Sequence, residues 1–306
     1  SDVSEISRIT RARGIPLIVD EPCGAHLGFS DFFSGNAVSA GADVTVQNLY
    51  STLPSLTQTA LIHAGGMCNT EKLKYALDLF SPEKPSFPLI CAADACVEYV
   101  KNSKERSFEK WRKNIELFEK KTKKLTNLKI QFSEDDKDEH KNVFAFDKSK
   151  IIVSTQGTDM TGYGLMKALE ESKIKIESAG TYFAVISTGM LDGSGEISRL
   201  AKALCNIDKK LRGSIPAKYP DMQDIPEIAC TSAEAARHNS ESVFAGEAEG
   251  SVSAEYIWAY PSFVPFIVPG EIFDANVISR IRNASTLGAC VICSDKSLKT
   301  FKVIKK

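Results

Sequence analysis

Three short apolar runs near the start of the chain, "IPLIVD" (15–20), "DVTVQN" (43–48) and "TALIHA" (59–64), are followed by a helical stretch over 86–100. Short apolar strands interleaved with turns and helices predict a parallel α/β layer, the arrangement that most restricts how such a chain can fold. The segment "GADVTVQNLYSTLPSLTQTALIHAGG" (41–66) reads as two buried strands around a polar turn made by Tyr50, Ser51, Thr52, Leu53 and Pro54. In a sheet of this class, chemistry is placed at such strand ends. The opening "SDVSEISRITRARG" predicts a helix with Val3, Ile6 and Ile9 on one face, running straight into a strand. A domain entered partway looks like this, so an upstream segment is expected to be absent from the chain.

Downstream, "KNSKERSFEKWRKNIELFEKKTKKL" predicts a charged helix over 101–125, docked by Phe108, Trp111, Ile115 and Phe118 at helical spacing. A surface loop is expected over 133–141. Then come a strand ("KIIVST"), a helix over 161–172, strands in "IKIESAG" and "YFAVIST", and a helix over 195–211, the order of an α+β lobe. The proline-bearing stretch 213–227 reads as a linker, and the last 80 residues or so as short strands and turns. The expected division is 1–102, 103–213 and 214–306.

Charge and composition remove several function classes. A formal net charge of −1 on 306 residues gives no global field for nucleic acid or an anionic membrane, and neither partner is expected. No apolar run approaches the ~18 residues of a membrane span. The eight cysteines show no secreted-framework spacing and read as reduced core thiols of a cytoplasmic protein. The single Cys-x-x-Cys, Cys290 to Cys293, has no second pair, and the four histidines are scattered at 26, 63, 140 and 238, so no metal site is expected.

"IPLIVDEPCGAHLGF", "GADVTVQNLYSTLPSLTQTALIH", "MTGYGLMKALEESKIKIE" and "GSVSAEYIWAYPSFVPFIVPGE" together resemble the ornithine/lysine/arginine decarboxylases, in that family's order and over the length of the chain. The resemblance implies an aspartate-aminotransferase-like fold. It would consist of the C-terminal part of a cofactor domain, a small α+β lobe and a C-terminal decarboxylase-family domain. Pyridoxal phosphate is the implied cofactor. The part of the cofactor domain that carries the family's phosphate-binding loop and ring-stacking aromatic would be missing.

Such a site needs a lysine amine to condense with the cofactor aldehyde, a carboxylate to keep the pyridine nitrogen protonated, and donors for the phosphate. The family's Asp-Glu-Ala-His-Gly-Ala-His corresponds here to Asp20, Glu21, Pro22, Cys23, Gly24, Ala25 and His26. Asp20 therefore takes the pyridine-partner position, while the alanine under the ring is Pro22 and the next histidine is Cys23. In the lysine motif, Ser51 stands at the Schiff-base position and Tyr50 at that of the preceding histidine. Residues 1–71 contain no lysine; the first is Lys72. The family's Thr-Ser-Pro-Ser-Tyr corresponds to Glu83, Lys84, Pro85, Ser86 and Phe87, which sets a carboxylate where a phosphate would lie. Its Tyr-Pro-Pro-Gly-Ile-Pro becomes Tyr260, Pro261, Ser262, Phe263, Val264 and Pro265, without the glycine. Gly157, Thr161, Gly162, Tyr163, Pro269, Gly270 and Glu271 keep the family's identities.

On this reading Asp20, Cys23, His26 and Ser86 are vestigial cofactor-site candidates, with the cofactor not covalently held or absent. Asp20 is expected to survive as a strand-end acceptor for backbone amides. The chain reads as a catalytically inactive member of the family acting as an assembly or regulatory subunit, in a homo-oligomer or with a complete decarboxylase-family subunit. The alternative is an active decarboxylase of lysine, ornithine or arginine whose lysine comes from elsewhere or was replaced at Ser51.

Overall fold

The computed structural model describes residues 1–33, 35–131, 143–213, 225–260 and 264–305. It resolves into two compact units. The first comprises Ser1–Lys124, Gln131–Ile151 and Ser187–Lys202, and the second comprises Leu125–Ile130, Ile152–Ile186 and Ala203–Lys306.

The first unit opens with helix α1 (Val3–Arg11), capped by Asp2, whose carboxylate accepts the Glu5 amide at 3.0 Å. The apolar face read from the sequence is not its buried face. Ile6 and Ile9 are about 40% exposed, and the buried residue is Ser7, whose hydroxyl donates to the Gly41 carbonyl at 2.7 Å. Strands β1 (Ile18–Asp20), β2 (Val44–Asn48) and β3 (Ala60–Ala64) form one sheet in that order. β1 and β2 are parallel, as expected, but β3 returns antiparallel to β2, because eleven residues of turn suffice for a hairpin and not for a crossover. Nor is β3 a core strand: its residues alternate between exposed and half-buried, whereas β2 is mostly buried.

Asp43 fixes the entry to β2. Fully buried, its carboxylate accepts the amides of Leu17 (2.8 Å) and Met67 (2.7 Å), with Arg11 at 3.8 Å. These amide bonds hold its pKa below the ordinary carboxylate value. Gly66 has φ +55°, and a side chain there would collide with Asp43 Oδ1, so the turn needs glycine twice over.

Helix α2 (Thr70–Phe80), which the sequence reading passed over, precedes α3 (Phe87–Thr122). The stretches expected over 86–100 and 101–125 are one continuous 36-residue helix, since no proline or glycine interrupts the sequence between them. Its aromatic stripe is buried as anticipated: Phe108, Trp111, Ile115 and Phe118 lie inside. Trp111 packs against Phe33 (ring centroids 4.5 Å) and His26 (5.0 Å), in a core with Leu49, Leu53, Val100 and Met190. Its indole N–H donates to Thr188 Oγ1 at 2.9 Å, and that hydroxyl donates in turn to the Ser149 carbonyl at 2.9 Å.

A four-stranded sheet, ordered β4–β5–β7–β6, is built from β4 (Lys129–Gln131), β5 (Lys150–Ser154), β6 (Ser178–Ala179) and β7 (Phe183–Ser187), with helices α4 (Gly162–Glu171) and α5 (Ser194–Asp208). Asp208 ends α5 and accepts the amides of Thr126, Asn127 and Leu128 at 2.7–3.0 Å. After a single turn of helix, α6 (Ser232–Ala235), the second unit continues with strands β8 (Ser240–Phe244), β9 (Ile257–Tyr260) and β10 (Pro265–Ile267). Helix α7 (Ala275–Thr286) and strands β11 (Cys290–Ile292) and β12 (Thr300–Ile304) complete it. β9 pairs antiparallel with β10 and β11, and β8 with β12, around a core in which Phe273 and Phe301 stack at 5.3 Å. The loop over 133–141, His140, most of the linker over 213–227, and Pro261, Ser262 and Phe263 lie outside the described residues.

The cysteines are not uniformly core thiols. All eight are free; Cys96 and Cys205 are buried, but Cys91 and Cys290 are exposed.

Trp111→Ala removes the largest buried side chain of the first unit together with its indole donor. The expected cost is about 3–5 kcal/mol, read as a lowered denaturation midpoint by circular dichroism. Leu191→Ala, at a 63% exposed position, serves as the control and leaves that midpoint unchanged.

Candidate functional site

Two parallel strand ends meet at the carboxyl edge of the first sheet. Asp20, the last residue of β1, pairs with Val46, and the next amide, Glu21 N–H, donates to the Val46 carbonyl at 2.9 Å. Asn48 N–H at the end of β2 donates to the Pro22 carbonyl at 3.1 Å. These bonds bring the segment from Asp20 to Cys23 beside the turn that carries Tyr50 and Ser51. The turn is anchored from both sides. Leu49 and Leu53 are buried, Leu49 N–H donates to the Thr59 carbonyl (3.1 Å), and the Thr52 carbonyl accepts from Met190 N–H (3.1 Å).

The side chains on this edge have divergent fates. Asp20 is exposed, and its carboxylate makes no hydrogen bond among the described residues; the expected backbone amides do not reach it. Glu21 folds inward instead. Its carboxylate accepts Gln47 Nε2 at 2.6 Å and the Ala37 amide at 3.3 Å. Burial pushes its pKa up, against those two hydrogen bonds. The carboxylate lies where a Cβ on residue 24 would be, which is why Gly24 follows it. Cys23 is half-buried, and Tyr50 is exposed with its hydroxyl 3.4 Å from Asn48 Nδ2. Ser51 is half-buried in the turn.

His26 does not face this edge. It is fully buried, with Nε2 3.0 Å from Asp147 Oδ1 and its ring edge-on to Phe33 at 4.9 Å. Ser86 lies apart as well: exposed, it occupies the N-cap position of α3 without making a capping bond. The structure therefore unites Asp20, Cys23, Tyr50 and Ser51, and separates His26 and Ser86 from them. Gln47 is the site residue that the sequence reading missed. A glutamine at a buried position of the run Val44–Asn48 needs a polar partner in the core, and that requirement was the available signal.

The family model described as "Orn/Lys/Arg decarboxylase, major domain" matches residues 1–161, more than half of the chain. The chain belongs to the Orn/Lys/Arg decarboxylase family. The arginine decarboxylase of Bacillus subtilis (strain 168) is 25% identical over 312 residues, covering all of this chain and 63% of its own length. The solved constitutive lysine decarboxylase of E. coli superposes with a TM-score of 0.72 at 16% identity, over 99% of this chain and 56% of that one. A structure of SPT with PLP matches at TM-score 0.51 and 13% identity over 68% of this chain. The fold is thus the aspartate-aminotransferase-like α/β architecture with decarboxylase-family additions, and the chain spans less than two thirds of the length of these decarboxylases.

Among the described residues, this edge carries the Asp20 carboxylate and the Ser51 hydroxyl and no lysine. Among the lysines later in the first unit, the Lys148 ammonium lies 4.3 Å over the Phe32 ring, and Lys150 Nζ donates to Ser187 Oγ at 2.7 Å.

The buried His26 ring meets the half-buried Asp147 carboxylate in the first unit. Burial raises the Asp147 pKa, but hydrogen bonds and charge from His26 and the Ser149 amide and hydroxyl outweigh it and leave the value below 3.8. A depressed carboxylate pKa contributes stability that is fully present above the unfolded value and is lost as pH falls through the folded one. Asp147→Asn is therefore expected to cost about 1.5–3 kcal/mol at neutral pH. It should also flatten the loss of stability below about pH 4. Denaturant midpoints of the two proteins between pH 7 and pH 3 measure both effects; parallel curves would remove Asp147 from the account.

Proposed function

We propose that this chain is a catalytically inactive member of the Orn/Lys/Arg decarboxylase family that acts as an assembly or regulatory subunit. The observation that carries the reading is Ser51, a hydroxyl in the turn where the family's lysine motif falls, in a segment of 71 residues with no lysine at all. A hydroxyl cannot form an imine, so pyridoxal phosphate cannot be held covalently there. The residues present meet one of the cofactor's needs, with Asp20 offering an unengaged carboxylate. They fail the others, since Ser51 supplies no amine and Glu83 brings negative charge to the expected phosphate side.

The assembly role rests on surface. Helix α2 and the start of α3 expose Tyr75, Leu79, Phe80, Phe87 and Ile90, with Phe80 at 89% and Phe87 at 76% exposure. Apolar side chains grouped in this way mark a surface made for protein contact. The partner is a second copy or a complete decarboxylase-family subunit. The purified chain is expected to associate at micromolar concentration, as measured by light scattering, and Phe80→Glu with Phe87→Glu to shift it toward monomer. A clean monomer from the wild type would remove the assembly role.

A second reading is favoured by Asp20, which stays at the strand end with its carboxylate unoccupied. On that reading the chain is part of an active decarboxylase of lysine, ornithine or arginine, with an amine supplied from elsewhere or lost at Ser51. One experiment separates the two. Pyridoxal phosphate is added to the full-length protein, the visible spectrum is recorded and borohydride is applied. The inactive reading expects no absorption that borohydride fixes onto the chain, and a mass increase equal to reduced cofactor would overturn it. Ser51→Lys alone is expected not to release carbon dioxide from any of the three amino acids, because Pro22, Cys23 and Glu83 remain; release above background would show that the lysine was the only defect.

A further inference from the structure

In the second compact unit, β12 has a neighbour on both sides and β8 on one. Along one edge β12 receives β8 in unbroken antiparallel register, from Thr300 opposite Phe244 to Ile304 opposite Ser240. Along its other edge it meets the chain near Ser253: the Ile304 amide donates to the Val252 carbonyl at 2.8 Å, and the Ala254 amide to the Lys302 carbonyl at 3.0 Å. Among the described residues no strand lies against the far side of β8. The register decides which of its groups face that way. Lys305 N–H donates to the Asn239 carbonyl and Ala245 N–H to the Lys299 carbonyl, each at 2.8 Å, so the odd-numbered residues of β8 are those bonded to β12. The amides and carbonyls of Ser240, Ser242 and Phe244 therefore point outward. Of these, among the described residues, the Phe244 carbonyl alone has a partner, the Glu247 amide at 2.8 Å.

An edge strand is ordinarily defended by charges, a proline, a bulge or a covering element, since its unpaired groups are a template for another strand. β8 has the Glu241 carboxylate near its start, no proline and no break in register. From Ser242 to Phe244 nothing defends it, and both of its faces are apolar there. Val243 lies on the inner face opposite Phe301, at the rim of the core that holds Phe273 and Ile281. Phe244 stands on the outer face and is 64% exposed.

We propose that β8 pairs antiparallel with β8 of a second copy of this chain, across a two-fold axis at Val243. Charge selects both the partner and the register. Centred on Glu241, the pairing sets two carboxylates directly opposite each other; centred on Ser242, it sets each carboxylate against a valine and diagonal to the other carboxylate. Centred on Val243, valine meets valine, and the two Phe244 rings lie diagonally within reach of each other. The Glu241 carboxylates then stand about 14 Å apart along the strands, beyond the screening length of ~8–10 Å. In this register the Ser242 amide donates to the Phe244 carbonyl of the second copy and the Phe244 amide to its Ser242 carbonyl, twice over by symmetry. The contact uses neither α2 nor α3, and it does not rest on Ser51 or on any cofactor chemistry.

The test is a disulfide trap in the full chain. Val243 and its symmetry mate exchange no hydrogen bonds with each other, so their Cα atoms lie ~4.5 Å apart, within the span of a disulfide. Val243→Cys, oxidised with glutathione disulfide, is expected to link to itself, and mass spectrometry of tryptic peptides distinguishes that link from those of the natural cysteines. Glu241→Cys, too far from its mate, is expected to link about tenfold less. Ser242→Pro added to Val243→Cys removes an outward N–H, which an edge strand tolerates, and should lower the link about tenfold. If that variant fails to fold, as read by circular dichroism, Phe244→Lys takes its place with the same loss expected. The link should persist when Phe80→Glu and Phe87→Glu are also present, which separates this contact from that of α2 and α3. An excess of a peptide of residues 239–246 should suppress it, and a scrambled peptide should not. The proposal is overturned by any of four results: no more link at Val243→Cys than at Glu241→Cys, a link indifferent to the edge variant, a link lost with Phe80→Glu and Phe87→Glu, or equal suppression by the two peptides, which would make the edge a site for any extended chain.

Discussion

The first unit depends on the burial of Trp111. Its ring joins Phe33, Phe108 and His26 in one aromatic cluster, and its single polar atom is answered by Thr188. An indole brings a large apolar area into a core at the cost of one N–H that must find an acceptor. The Thr188 hydroxyl is that acceptor, and it is oriented by its own donation to Ser149. The same loop carries Asp147, which holds His26. One long helix therefore anchors the segment from Gly24 to Phe33 through His26 and Phe33.

That dependence explains which features could be read in the sequence. The stripe at 108, 111, 115 and 118 was legible because helical period and aromatic size coincide, and burial by one face is the only stable outcome. The strand ends at Asp20 and Asn48 were legible because apolar runs stop there. Register and direction were not. The antiparallel return of β3 depends on the length of the turn and on Thr59 reaching back to Leu49, a contact with no local signature. The face of α1 misled for a related reason: Val3, Ile6 and Ile9 share the helical spacing, but the contact that docks the helix is the hydroxyl of Ser7 on a backbone carbonyl. Periodicity records where a helix is apolar; it does not record which face finds a partner.

The site shows the same division at the scale of single residues. The proposed replacement of the family's lysine by Ser51 is legible as a change of functional group, because an amine and a hydroxyl differ in what bonds they can form. The opposite fates of Asp20 and Glu21 were not visible, since adjacent carboxylates look alike in a sequence. They separate only because β1 ends between them. Asp20 is still strand and points to the exposed side, while Glu21 turns inward to meet Gln47 and the Ala37 amide. Burial raises the pKa of Glu21, and its hydrogen bonds only partly offset that rise.

If Ser51 stands where the family's lysine would, as proposed, the surrounding residues differ in what keeps them in place. A residue that contacts a cofactor is constrained by the cofactor; a residue that contacts the core is constrained by folding. His26 and Glu21 belong to the second kind: His26 Nε2 meets Asp147 and the Glu21 carboxylate meets Gln47, both inside the protein. Asp20, Tyr50 and Ser51 belong to neither, since the first is unbonded, the second holds one long contact and the third sits in a turn fixed by the leucines on either side. On physical grounds, substitutions at these three positions act on any surviving chemistry or binding and barely on stability, whereas substitutions at Glu21 and His26 act on stability first. The edge can therefore change its exposed side chains without the sheet losing its shape, a condition the proposed inactive subunit would have to meet.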